Sequence, residues 1–204
     1  MDFEHFRHYA RGWLLHVFGR EERAFSEYAI AYRLKPDDVQ AARHLAFLAA
    51  KKKNFDVADK WFTEVLRLTP EDAGMHFNHG YVLEQAGRPR AAVAAFAEAV
   101  RLTPALDRAW YGLGLAHAHL GEHAEAAAAF ARASDLQPMN GEAFYQWAMA
   151  CHHANQPDKV TEIARRLAGF EPKRALKLIK DAERPDLRHL VPEEVRHFFE
   201  THRS

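Results

Sequence analysis

Residues 107–140 read DRAWYGLGLAHAHLGEHAEAAAAFARASDLQPMN. In the first half Trp110, Leu113, Gly114 and His117 fall at i, i+3, i+4 and i+7, one stripe of a helix, and Gly121 supplies its stop. In the second half Ala126, Phe130 and Ala133 keep helical spacing until Pro138. The stretch predicts two helices joined by a short turn, with small residues on one stripe facing large ones on the other. Working outward, Pro36, Pro70, Pro104, Pro138 and Pro172 stand 34 residues apart. Twelve positions before them are Ala24, Ala58, Ala92, Ala126 and Val160, and eight before are Tyr28, Phe62, Phe96, Phe130 and Ala164. Gly12, Gly80 and Gly114 share one place, filled by Ala46 and Ala148 in the other two units, and Leu45, Leu113 and Trp147 hold the place before it. Asp37-Asp38, Glu71-Asp72, Asp107 and Asn140 are placed to open first helices, and Pro89 and Pro157 to start second ones. Nothing alternates with period two, so no strand is expected.

Composition narrows the function. Twenty-eight basic residues balance 28 acidic ones in 204, which removes the electrostatic case for nucleic acid, and 48% apolar residues supply a core. The single cysteine, Cys151, excludes an intrachain disulfide and a multi-cysteine zinc module, and on the packing stripe it reads as a small buried residue. The first twenty residues contain no signal-peptide apolar core, and no stretch approaches eighteen apolar residues. A cytoplasmic chain without membrane insertion is expected.

These repeats resemble the tetratricopeptide repeat family. Residues 107–140 match its pattern best, with His117 in place of the usual tyrosine, and the third unit follows through Gly80, Gly87, Ala92, Phe96, Ala99 and Pro104. The other units are looser: His8 and Arg11 take apolar places, Lys53 replaces the loop glycine and Ala164 the aromatic. The resemblance implies an all-α, right-handed superhelical solenoid of antiparallel helix pairs. Residues 1–174 would hold five repeats (5–38, 39–72, 73–106, 107–140 and 141–174), and residues 175–204 a C-terminal helical cap. That last segment starts as a sixth first helix, is cut by Pro185 and Pro192, and ends in a helix with Val195, Phe198 and Phe199 on its apolar face.

Each first helix carries a second set of large side chains one step around from its structural stripe. Tyr9 and Trp13, Phe77 and Tyr81, Tyr111 and Leu115, and Tyr145 and Met149 are i, i+4 pairs, and the second unit offers Arg43 and Phe47. In the resembled family this face lines a concave groove, which implies a ladder contacting an extended peptide or another protein; packing between neighbouring helices is the alternative for any one ring. A C-terminal carboxylate clamp, as in heat-shock co-chaperones of the family, is matched at Arg43, Asn78 and Arg108 but not at Phe47 or Gly112.

The fourteen histidines include the spaced pairs His5/His8 and His76/His79, yet no HExxH or carboxylate-supported triad accompanies them. Packing histidines, or groups that respond to pH, are expected rather than a metal site. With no nucleophile–base pair or phosphate loop, the expected role is a non-enzymatic protein-interaction scaffold without a cofactor. A client chaperone resembling those of bacterial secretion systems and a self-assembling structural array are the alternatives, and the oligomeric state is open.

Overall fold

A computed structural model describes residues 3–201, with side chains through His197, so the Phe198 and Phe199 side chains lie outside the described residues. Among the described residues every regular element is helical, as the missing period-two pattern predicts. No helix among them is long and apolar enough to cross a membrane. The chain divides into two compact units, residues 1–104 and 105–204.

The first unit contains α1 (Phe3–Val17), α2 (Glu21–Leu34), α3 (Val39–Lys51), α4 (Phe55–Leu68), α5 (Ala73–Gln85) and α6 (Pro89–Leu102). They pack as pairs, α1 on α2, α3 on α4 and α5 on α6, and each pair rests on the next through α2 against α3 and α4 against α5. The second unit contains α7 (Asp107–His119), α8 (His123–Leu136), α9 (Gly141–His153), α10 (Pro157–Phe170), α11 (Pro172–Asp181), a 3-10 helix (Pro185–Leu190) and α12 (Glu193–Thr201). Here α11 and the 3-10 helix both pack on α10, and α11 also reaches α9.

The small-against-large register explains the pairing. A Cβ built on Gly12 would lie 3.0 Å from the Tyr28 ring, one on Gly80 2.8 Å from Phe96, and one on Gly114 2.7 Å from Phe130. The missing side chain is what lets the second-helix ring reach the first-helix backbone. Where alanine stands instead, the partner is Phe62 for Ala46, or the ring shrinks to Ala164 opposite Ala148; all four are buried. Ala24, Ala58, Ala92 and Ala126 are fully buried as well.

Every first helix ends on a left-handed residue two positions past its last helical one. Gly19, Gly87 and Gly121 adopt φ of 69°, 71° and 74°, and Lys53, Asn155 and Glu183 adopt 57°, 54° and 52° in the same role. The next amide reaches back five residues, as in Asn54 N–H to Ala49 O (3.0 Å) and Arg184 N–H to Ile179 O (2.9 Å), which closes a Schellman motif at each end. Lysine carries a Cβ penalty in this region that glycine does not. Lys53→Gly should therefore stabilise the first unit by ~0.5–1 kcal/mol despite the freer unfolded chain, measured by urea unfolding. A loss of stability would show that the Lys53 side chain contributes more than its backbone costs.

Helix starts follow sequence only in part. Asp38 accepts from the amides of Gln40 and Ala41, Asp72 from Met75, and Asn140 from Ala143. At α7, however, the N-cap is Leu106, which has no acceptor; Asp107 is already helical and contributes only through the helix dipole. Pro89 and Pro157 open α6 and α10 as expected. Pro172 differs from its four counterparts: it sits at the first turn of α11 rather than in a turn before a cap, so α10 and α11 are separated by Glu171 alone.

Candidate binding face of the first helices

In the first unit the i, i+4 pairs split into an inner and an outer member. At 100° per residue, the inner one lies ~60° around the helix from the glycine stripe that faces the partner helix, and the outer one ~100°. The inner rings accordingly lean on the second helices. Tyr9 meets Tyr28 of α2 edge-on at 5.5 Å and Phe77 lies 5.9 Å from Phe96 of α6, while Tyr9 also lies 5.9 Å from His44 on the next first helix, α3. The outer ones face away: Trp13 is 53% exposed, Phe47 42% and Tyr81 54%. Phe47 still touches Phe62 at 5.6 Å with one edge. One half-exposed aromatic thus stands at the same register position on α1, α3 and α5.

The polar members of the expected site are divided. Asn78 is half-buried on α5, three residues before Tyr81. The Arg43 guanidinium is engaged by the Asp72 carboxylate at the start of α5, so its charge is already met within the unit. Arg108 belongs to the second unit and is exposed there.

In the second unit the corresponding side chains are more covered. Tyr111 packs against Phe130 at 5.4 Å, and burial raises its hydroxyl pKa. Leu115 and Met149 pack against the core. The Tyr145 hydroxyl donates to Asp181 at 2.7 Å, with Lys177 Nζ 4.7 Å from its ring, both supplied by α11; burial is the main cause that pushes this hydroxyl up to about 12. The spacing of these pairs was legible in sequence, whereas the inner–outer split and the cover from α11 were not, because both depend on where the second helices and α11 lie.

Histidines on the packing stripe are satisfied. His5 bonds Asp38 at 2.7 Å, His8 Glu27 at 2.6 Å, His79 Asp59 at 2.7 Å and His117 Glu122 at 2.6 Å, while His76 Nε2 lies 2.8 Å from the Pro70 carbonyl. The apolar places that His8 and His117 occupy are thereby made compatible with burial. His44 has a different environment: it stacks on Tyr28 at 4.4 Å and meets His16 at 5.7 Å. Burial, and next the neighbouring His16, lower its pKa below the usual 6.5, with Asp38 opposing weakly. The unfolded imidazole therefore binds protons more readily than the folded one, so stability is undiminished above pH 6.5 and falls as the pH drops below it. His44→Leu should gain melting temperature relative to the parent as the pH is lowered through 6.5. A gap independent of pH would remove His44 from the acid response.

Cys151 is buried in the second unit's core, and burial pushes its thiol up. Among the described residues no group of three or more histidine, cysteine, aspartate or glutamate side chains could hold a metal ion.

The family model described as tetratricopeptide repeat matches residues 77–158. No curated protein sequence matches the chain. Among solved structures, the chain is similar to YrrB, described as a TPR protein with an unusual peptide-binding site, at 23% identity over 85% of this chain and 90% of that one, with a TM-score of 0.74. It is also similar to MamA (19% identity, 91% and 97% covered, TM-score 0.75) and to pilF of Pseudomonas aeruginosa (19%, 92% and 88%, TM-score 0.65). At these identities the likeness is one of fold. The 34-residue period and the helix pairs it folds into agree with the matched segment: residues 77–158 carry tetratricopeptide repeats, and the chain shares the helix-pair fold of these solved structures.

Proposed function

We propose that the chain is a non-catalytic protein-interaction scaffold that holds an extended segment of another polypeptide against the outer face of its first helices. The observation that carries this reading is the register of Trp13, Phe47 and Tyr81, three half-exposed aromatics at one position of three successive first helices. Exposed aromatics cost solubility, and their recurrence at one position favours a ligand that meets them in sequence. Asn78 offers an amide donor and acceptor to a peptide backbone from the same helix as Tyr81. In the second unit Tyr111, Leu115, Tyr145 and Met149 hold the equivalent places, where only their open edges remain for contact, and the exposed Arg108 offers a guanidinium on the same helix as Tyr111.

Magnitudes set the affinity. Three rings each covering ~100 Å² at ~25 cal/mol/Å² give ~7 kcal/mol gross, and association costs of ~4 kcal/mol or more leave millimolar binding from the rings alone. A working ligand must add polar contacts, and exchange remains fast. Because Asp72 already occupies Arg43, the carboxylate clamp is incomplete, and an internal segment is a better fit than a free C-terminus. Screening a peptide library on the parent protein and on the Phe47→Ala/Tyr81→Ala variant tests the proposal: selected peptides should be lost with the rings.

A further inference from the structure

The outer face of α1 carries a stripe that no repeat chemistry requires. Phe3, Phe6, Leu14, Val17 and Phe18 are between 50% and 73% exposed, with Trp13 at the stripe's edge. Taking ~200 Å² for an aromatic side chain, these residues leave on the order of 600 Å² of open apolar surface, above what a monomer ordinarily exposes without use. The opposite side of the same helix is committed: Gly12 is buried against Tyr28, and His8 is bonded to Glu27.

The spacing of the stripe says what fits it. Phe3, Phe6, Ala10, Leu14 and Val17 are separated by three, four, four and three residues, so the pattern reads the same in both directions about Ala10. We infer that a second copy of this chain covers it, α1 packing antiparallel on α1 about a two-fold axis at Ala10. In that arrangement Phe3 meets Val17 and Phe18 of the copy, Phe6 meets Trp13 and Leu14, and the two Ala10 methyls meet on the axis, where a small residue lets the helices approach. The contact is isologous and closes on itself, so it ends at a dimer. Two copies bury on the order of 1,200 Å², the size at which specific interfaces begin, which makes the dimer concentration-dependent rather than obligate. The flanks suit a protein surface: Arg7 pairs with Glu4 at 3.3 Å on α1 itself, and the chain has no net charge to draw it to an anionic membrane.

Sedimentation velocity over a dilution series tests the inference on the full chain. A monomer–dimer equilibrium is expected. Phe6→Glu and Val17→Glu should each weaken it by at least tenfold, with melting temperature and helical circular dichroism unchanged because neither side chain is in the core. Ala10→Cys provides a milder variant: on oxidation it should yield a covalent dimer, since each cysteine faces its own copy, and Cys151, the only other cysteine, is buried. A control cysteine at Arg23 on α2 should not cross-link. A chain that is monomeric at every concentration overturns the inference, and one that is monomeric but sediments with anionic vesicles replaces the second copy with lipid. A dimer indifferent to both glutamates that Ala10→Cys does not trap overturns it equally. Trp13 borders both this stripe and the peptide-binding face, but the varied positions Phe6, Ala10 and Val17 belong to the stripe alone, and Phe47 and Tyr81 to the binding face alone, so the two readings fail separately.

Discussion

Deleting residues 175–204 should leave the second unit unable to hold its fold near room temperature. Ala175, Leu178, Ile179, Ala182, Leu187 and Val191 are at most 4% exposed and share one core with Phe144, Ile163 and Leu167 of α9 and α10. Burying the four larger of these side chains contributes ~1.5–3 kcal/mol each, ~6–12 kcal/mol together, against a total stability of ~5–15 kcal/mol for an ordinary domain. The deletion also uncovers the face of α10 on which they sit. Arg184 adds polar ties, its guanidinium donating to the Pro157 carbonyl and to Thr161 Oγ1 at 3.1 Å each. A melt of the truncated chain should show an early transition with rising light scattering. An unchanged melting temperature and a clear solution would mean that this segment is not a cap.

Phe130→Ala should be the costliest single substitution of those considered, at ~3–5 kcal/mol. Its ring is 1% exposed, fills the space left by Gly114 and supports Tyr111. The backbone at Gly114 has no side chain that could move in to fill the void, so the cavity persists. Tyr81→Ala in the first unit removes a ring of similar size that is 54% exposed, and its cost should stay within ~0.5 kcal/mol. Urea unfolding of the two variants compares them directly. Similar losses would place Tyr81 in the core and remove it from the binding face.

The fold was legible because the repeat imposes two constraints at once. Proline spacing marks the turns, and the pairing of Gly12, Gly80 and Gly114 with a ring sixteen residues on reports which stripes meet. Lys53 departs from the loop-glycine pattern in sequence, yet the backbone absorbs the change: Lys53 takes up the left-handed turn that glycine takes elsewhere. Pro172 misled in another way, since a proline can end one helix or begin the next and the 34-residue period cannot tell which.

The candidate site was less legible, because exposure is decided by neighbours distant in sequence. Tyr81 and Met149 hold the same register place, yet Tyr81 is 54% exposed whereas Met149 packs against the second unit's core, and one turn earlier Tyr145 is tied by Asp181 and Lys177 of α11. The stripe on α1 was hidden for a simpler reason. Phe3 precedes the first expected repeat at residue 5, and Phe6 takes a register place held by Gln40, Gly74, Arg108 and Glu142 in the other units, so no repeat pattern points to either ring.

The most direct test of the binding face is a titration of a selected peptide or identified partner into the parent protein and into the Phe47→Ala/Tyr81→Ala variant. Both proteins should have the same helical content and nearly the same melting temperature, because the two rings lie outside the core. Affinity should fall at least tenfold, ~1.4 kcal/mol, in the variant. Undiminished affinity in a folded variant would contradict the account, and the outer aromatics of the first helices would then have no part in holding a ligand.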